Sequence, residues 1–237
     1  LYGRRTAEVE LWPSQLLAAH RAVDVTDDLV AALPTSAGKT RIAEIARNWW
    51  LIGRHPTFVA WTAITCASWC GLFAFLTTSS FVFIDVLGVG QVAYAVILLS
   101  SSLSYTAGTF FCRFLLTRTN AARAVAIGGA FSLAGGVSII AIALAGMHTV
   151  SAFLPPIWLF AIGHGIHQPC GQAGVTSPFP DKAGTAASLS GFAMMATAFA
   201  AGIVLGRCMN GTVYPLAFGV GAFALGLPQT DDALASR

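Results

Sequence analysis

Six long apolar segments dominate the chain after Pro56 and limit what it can fold into. A window of about 19 residues, moved along the sequence, detects segments of this kind. The first five are long enough to cross a hydrocarbon layer of about 30 Å at about 1.5 Å per helical residue, and the sixth is marginal. The sequence therefore predicts an all-α membrane protein with six spans. The segments are Thr57–Ser79, Val92–Cys112, Ala124–Gly146, Ala152–Cys170, Thr185–Gly206 and Thr212–Leu227.

The few charged residues of this apolar part lie in or beside the breaks between segments. Charged residues make up 10% of the chain, whereas an average soluble domain carries about 25%. Arg, Lys or Asp at the centre of a membrane helix costs about 2.5–3.5 kcal/mol, so breaks are where such residues are expected. A soluble helical core could explain one apolar segment, but six in succession favour lipid. Between Pro56 and Thr230 the charged residues are Asp85, Arg113, Arg118, Arg123, Asp181, Lys182 and Arg207.

The basic residues near the breaks predict an orientation. Lys and Arg in short loops are retained on the cytoplasmic side of a membrane. If six spans alternate in direction, only Arg207 falls on the side opposite to the other cations that flank the spans. Both termini are therefore predicted to be cytoplasmic, with lipid around the spans. The cations on the predicted cytoplasmic side are Arg47, Arg54, Arg113, Arg118, Arg123, Lys182 and Arg237.

A polar stretch at the end of the fourth segment is the first candidate for a functional site. It places His164, His167 and Gln168 among Gly and Pro residues, and polar groups at this depth face a bundle interior or a watery cavity. We expect the Gly and Pro residues to interrupt the helix, as in the discontinuous helices of transporter sites. The two histidines share a helix face, which suits metal, proton or substrate. Because Cys170 is turned away and no carboxylate is near, cavity lining or helix packing is expected instead of metal binding.

Two further segments supply candidate cavity residues. Phe73, Phe75 and Thr77 form an aromatic, hydroxyl-bearing end of the first segment, which suits an amphipathic drug and equally an interfacial belt. Met194 and Met195 in the fifth are adaptable apolar groups of the kind that promiscuous pockets use, with core packing as the alternative role. The apolar part contains no buried acid, metal-ligand set or nucleophile with a base. We therefore predict no catalytic residue, no metal, no cofactor and no enzymatic activity.

Two stretches of the apolar part carry a family resemblance. They are GLFAFLTTSSFVFIDVLGV (Gly71–Val89) and HQPCGQAGVTSPFPDKAGTAASLSGFAMM (His167–Met195). The second is the more specific, because its QP, AG, PFP and KAGTAASLSGF elements occur together in a characteristic order and spacing. Both resemble the C-terminal half of the bicyclomycin-resistance type (Bcr/CflA) of drug:proton antiporters in the major facilitator superfamily. The resemblance covers the region from Asn48 to Leu227.

This resemblance implies a six-helix transmembrane half-bundle that supplies spans seven to twelve of a twelve-span protein. It places the half-bundle at residues 48–230 and a cytoplasmic tail at 231–237. It also implies multidrug efflux in a bacterial inner membrane, with a small amphipathic substrate, protons and the missing N-terminal half as partners. The family's substrate cavity lies between two halves, and its proton-coupling acids usually lie in the first. Asp85 and Asp181 both lie in breaks, so no proton site is assigned.

The residues before the membrane part follow a different pattern. The sequence PTSAGKT ends at Thr40, follows an apolar stretch and precedes a helical pattern, as in a P-loop, where backbone N–H groups and a lysine hold phosphates. Leu33 replaces the first glycine of the usual P-loop. Together with LWPSQLLAA (Leu11–Ala19), this stretch resembles the Q motif and motif I of superfamily-two (DEAD/DExH-like) helicases. The resemblance implies nucleotide-binding roles for Gln15, Gly38, Lys39 and Thr40.

Only a partial P-loop segment, residues 1–47, fits the helicase resemblance. No DExH acid pair, motif III or arginine finger follows it, so we expect no nucleotide hydrolysis. A gene fusion and a composite reading frame are the two explanations for the join near Arg47. The composite frame is favoured, because partial domains expose core residues that lack a packing partner. The alternative function is therefore a nucleotide-binding helicase fragment joined to membrane sequence. The small net charge of +3 predicts no nucleic-acid partner for the membrane part.

Overall fold

The computed structural model describes residue 45, residues 47–209 and residues 211–235, with side chains described as far as residue 224. By its contacts the chain divides into two units, 1–48 and 49–237, and the helices below all belong to the second. The described residues form helices and turns without a β-strand. The predicted P-loop residues lie outside the described part of the chain.

Six long helices follow one another in the described part. Five regions are long and apolar enough to cross a membrane, which confirms the prediction of an all-α membrane protein at this level. Tyr214–Ala224 is the apolar part of the last helix within the residues whose side chains are described. The helices are α1 Pro56–Ser80 with a π-helical continuation at Phe81–Val86, α2 Gln91–Arg118, α3 Ala121–Leu144, α4 Val150–Thr176, α5 Ala183–Cys208 and α6 Tyr214–Ala235.

The first helix extends beyond the predicted end of its apolar segment. The hydroxyls of Thr77 and Thr78 donate to carbonyls of their own helix at 2.7–2.8 Å, so this polar stretch does not end the helix. The π-helical continuation ends in a turn at Gly88, whose φ of 68° favours glycine. The break predicted at Asp85 with Gly88 and Gly90 therefore lies at its two glycines, and Asp85 belongs to the end of the helix.

Helices that are neighbours in space are mostly not neighbours in sequence. Helix α4 packs against α1, α2 and α3, whereas α1 packs against α4, α5 and α6, and α3 packs against α6. Contacts between α2 and α3 and between α5 and α6 are few. If α1, α2 and α3 are exchanged with α4, α5 and α6 in that order, each large interface between helices takes the place of another large interface. The six helices thus form two equivalent groups of three.

The contacts along α4 also establish the directions of the helices. Helices α1 and α4 run antiparallel, because residues later in α1 meet residues earlier in α4. The close pairs are Trp61 with Gly174, Thr65 with Gly171, Ser68 with His164, and Gly71 with Phe160. Helix α2 instead runs parallel to α4, as expected for alternating spans. Its pairs are Ser100 with Trp158, Gly108 with Ile162, Thr109 with Gly165, and Cys112 with Cys170.

Glycines allow α4 to approach its neighbours at backbone distance. A Cβ atom on Gly165 would lie 2.3 Å from the carbonyl oxygen of Tyr105, and one on Gly163 would lie 2.2 Å from the Ser132 hydroxyl. Small residues at such crossings are what membrane helices need for close packing. Helix α4 is accordingly the most buried of the candidate spans.

The prediction that α4 is interrupted at Pro169 was wrong, because the helix continues from Val150 to Thr176. Proline has no N–H, so it leaves the carbonyl four residues earlier, that of Gly165, without its helical donor. The Thr109 hydroxyl of α2 lies 3.3 Å from this carbonyl and donates to it, while it also lies 3.2 Å from its own Tyr105 carbonyl. A side chain of a neighbouring helix thus offers this carbonyl a donor, which it shares with a carbonyl of its own helix.

Buried apolar side chains form two clusters at opposite ends of the bundle. One includes Phe83 and Phe153, and the other includes Phe58 and Ile166. Several buried polar side chains lie between these clusters, near the middle of the helices. They include Ser68, Ser101, Ser132 and His164. The bundle therefore has a polar layer across the centre of an otherwise apolar interior.

Candidate functional site

A cavity of about 360 Å³ opens at the level of this polar layer, between α1, α2, α4 and α6. Trp69, Tyr105 and His164 line it, and each lies near the midpoint of its own helix. If the helices span a bilayer, the cavity therefore lies near the membrane midplane. Its rim is open at Leu76, Ser102 and Tyr105, whose side chains are exposed.

A hydrogen bond across α1 and α4 holds the imidazole of His164. The Ser68 hydroxyl lies 2.7 Å from His164 Nδ1, and both residues are buried. Within the described residues, Ser68 Oγ has no other hydrogen-bond partner, and neither does His164 Nε2. The rings of Trp69 and Tyr105 flank the imidazole, with centroids 6.1 Å and 5.4 Å from it. The histidine is thus fixed between two aromatic rings at the cavity wall.

The other walls of the cavity are apolar. Its polar lining comes from His164, Trp69, Tyr105 and two serines, and both serine hydroxyls donate to carbonyls of α2. No charged side chain lines the cavity, and the two aspartates whose side chains the structure describes, Asp85 and Asp181, are exposed. The apolar side chains include Leu72, Phe75, Leu76, Leu98, Ile157 and Phe160.

Two of the predicted cavity residues, Phe75 and His164, meet at this cavity. The other two predicted residues of α1 lie elsewhere. Phe73 packs against α5, where a Cβ on Gly202 would be 3.0 Å from its ring. Thr77 is exposed, and its hydroxyl donates to carbonyls of its own helix. The aromatic and hydroxyl-rich end of the first segment is therefore divided between several surroundings.

His167 and Gln168 do not line this cavity. His167 is fully buried against α3, where a Cβ on Gly128 would lie 3.2 Å from Nε2, and neither of its nitrogens has a hydrogen bond in the described residues. Gln168 is also buried, and its Nε2 lacks an acceptor there. The two histidines are on neighbouring positions of α4 but face different helices, since His164 meets α1 and α2.

The predicted methionines lie on α5. Met194 is buried and its sulfur accepts a hydrogen bond of 3.6 Å from Gln172 Nε2 of α4, whereas Met195 is exposed. A second cavity of about 830 Å³ lies between α1, α5 and α6, and its lining is almost entirely apolar. Neither methionine lines it. Its few polar lining groups include Cys70 and Thr197, and the Thr197 hydroxyl donates to its own helix.

The sequence analysis did not identify Trp69, Tyr105 or Ser68 as site residues. A tryptophan in the middle of an apolar segment was the available signal for Trp69, because membrane tryptophans favour the interfaces. Ser68 and Tyr105 carry no such signal, since isolated serines and tyrosines are common in membrane helices. In the described residues no three His, Cys, Asp or Glu side chains cluster as metal ligands would.

The chain was compared with known proteins in three ways. No protein-family model, no curated protein and no solved structure matches it. The geometry of the bundle and its cavity is therefore the main guide to function.

Proposed function

We propose that residues 48–230 form one six-helix half of a major facilitator-type transporter that exports small amphipathic compounds in exchange for protons. The observation that carries this proposal is the cavity beside His164, which combines unpaired polar groups with apolar walls at the centre of membrane-length helices. Polar groups at this depth are expensive unless they serve a binding site or a pathway. Mostly apolar pockets with a few placed polar groups are typical of small-molecule sites.

The equivalence of the two groups of three helices supports the transporter class. Because the helices alternate in direction, each helix of α1–α3 runs opposite to its counterpart in α4–α6. The large interfaces that one group makes match those that the other group makes. Inverted repeats of three helices occur within each half of major facilitator transporters. Sites in transporters built from repeats lie near the midplane at the repeat interface, and the cavity lies between α1 and α4, the first helices of the two groups.

We assign the proton-exchange site and the rest of the substrate site to a partner half. No acidic side chain lines the cavity, so this half offers no carboxylate for proton exchange there. Exposed apolar side chains on α2 and α5, such as Val96, Leu103, Phe192 and Phe199, leave faces for lipid or for the partner half. Proton coupling by the partner half agrees with the family resemblance.

Drug resistance in an efflux-deficient bacterium tests the proposal. The chain is expressed alone and together with the N-terminal half of a transporter of the resembled family, and growth is measured against a panel of amphipathic antibacterials. We expect the pair to raise resistance to some of them, and His164→Ala to abolish the increase without lowering the amount of protein in the membrane. His148→Ala is the matched control, because His148 is exposed in the turn before α4.

Two results would contradict the proposal. One is that no compound of the panel becomes less toxic although both halves reach the membrane. The other is that His164→Ala and His148→Ala confer equal, full resistance.

A further inference from the structure

The geometry at His164 assigns a substrate class to the cavity: a neutral aromatic compound with a carbonyl-type oxygen that accepts a hydrogen bond from His164 Nε2–H. This inference rests on the proposed transport function and deepens it. It depends on three observations, namely the hydrogen-bonding state of His164, the aromatic rings beside it and the absence of charge from the cavity wall.

The hydrogen atom between Ser68 Oγ and His164 Nδ1 can belong to either group, and we assign it to the hydroxyl. A serine hydroxyl has one hydrogen to donate, and within the described residues His164 Nδ1 is its only acceptor, at 2.7 Å. With the hydroxyl donating, Nδ1 is the unprotonated nitrogen of a neutral imidazole and Nε2 carries the hydrogen. Nε2 has no partner within the described residues. His164 therefore offers a donor at the cavity wall, and only an acceptor can satisfy it.

Other polar groups beside His164 favour the same kind of ligand. Trp69 lines the cavity, and its indole N–H, which can only donate, is buried without an acceptor in the described residues. The Tyr105 ring also lies beside the imidazole, and its hydroxyl has no hydrogen bond within the described residues. The rings of both residues offer faces on which an aromatic ligand can stack. Donors and aromatic faces are thus concentrated around one imidazole.

The uncharged wall distinguishes a neutral ligand from a cation. A cation would lose its hydration without meeting a carboxylate, since none lines the cavity, and a buried charge without a partner is strongly unfavourable. Contact with aromatic faces returns only a part of that loss. The loss exceeds the gain, so a lipophilic cation is excluded from this part of the site. The volume of about 360 Å³ suits a compound with two fused rings.

Three bicyclic probes of similar size test this inference on the purified full chain in detergent. Coumarin is neutral and carries a lactone carbonyl, naphthalene is neutral without an acceptor, and N-methylquinolinium is a cation without an acceptor. Saturable binding is measured by equilibrium dialysis, after subtraction of the partition into protein-free micelles. We expect coumarin to bind at least tenfold more tightly than N-methylquinolinium.

Two variants locate the binding. His164→Phe keeps a ring but removes the donor, and it should raise the Kd for coumarin about fivefold to tenfold, as the loss of one hydrogen bond predicts, while the Kd for naphthalene changes less than twofold. Ser68→Ala tests the positioning role of the hydroxyl and should weaken coumarin binding by a smaller factor. His148→Phe is the matched control and should change neither Kd.

The outcomes separate this inference from the proposed function. Tighter binding of N-methylquinolinium than of coumarin, equal coumarin binding by a folded His164→Phe protein, or no saturable binding of coumarin would overturn the substrate class. Each of these results leaves the resistance assay to decide whether the chain takes part in transport. Thermal unfolding of each variant establishes that it is folded before its Kd is compared.

Discussion

At the scale of single residues, one threonine hydroxyl links the proline-containing helix α4 to its neighbour α2. Thr109 supplies a donor to the Gly165 carbonyl, which Pro169 leaves without its helical N–H. The sequence shows the proline but not the donor, because the threonine belongs to another helix. A local pattern therefore predicts the missing bond and cannot predict its replacement.

A double-mutant cycle tests this replacement. Thr109→Val should destabilise the protein by about 0.6–1.7 kcal/mol, the range of interhelical hydrogen bonds in membranes. In a Pro169→Ala background the same substitution should have a smaller effect, because the alanine restores an N–H four residues after Gly165. The measurement is unfolding in mixed micelles with a graded denaturing detergent. Equal effects of Thr109→Val in both backgrounds would show that the hydroxyl does not serve this carbonyl.

At the scale of helices, the lengths of the apolar segments predicted where the helices lie in the sequence. The glycines did not predict which helices pack against one another. Gly128, Gly135 and Gly136 belong to the third apolar segment and are small residues of the kind that close helix packing in membranes uses, and all three are buried at crossings of α3. Gly165 was interpreted as part of a helix break, yet it lies where α2 and α4 touch. Composition shows that a helix can be approached closely. It does not show which neighbour approaches.

Substituting these glycines should separate contact positions from free ones. Gly165→Ala should destabilise the bundle by about 1–3 kcal/mol, the range for overpacking, because the new Cβ would lie 2.3 Å from the Tyr105 carbonyl. Gly191→Ala on α5 is the matched control, since nothing lies within 4 Å of its added Cβ. It should be neutral or slightly stabilising, because alanine favours helix. Thermal unfolding in detergent measures both, and equal stability of the two variants would contradict the close crossing.

At the scale of the whole molecule, the sequence predicted six helices but not the arrangement that creates the cavity. Ser68, Tyr105 and His164 come from three different helices, and their contact depends on α4 lying between α1 and α2. Hydropathy determines whether a segment is helical and apolar. The choice of neighbours depends on small residues and side-chain hydrogen bonds distributed over several helices.

The orientation in the membrane is a prediction for the whole molecule. A reporter fused after Arg118, at the end of α2, should behave as cytoplasmic, because the cations of the α2–α3 break are retained on that side. Fusions after Gly88 and after His148 should both behave as periplasmic, since these turns lie at the opposite ends of α2 and α3. Paired alkaline phosphatase and green fluorescent protein reporters measure the side of each fusion. The reverse pattern would invert the orientation, and a mixed pattern would contradict alternating spans.

The two thiols between α2 and α4 have a consequence for motion within this bundle. Cys112 Sγ and Cys170 Sγ are 3.3 Å apart, and both residues are buried. A disulfide needs a sulfur separation of about 2.05 Å, so an oxidant that reaches this buried pair has a gap of little more than 1 Å to close. A slide of α2 along α4 by one helical turn, about 5.4 Å, would put them out of reach. The rate at which this pair is oxidised therefore reports whether α2 and α4 move as one rigid body while the protein works.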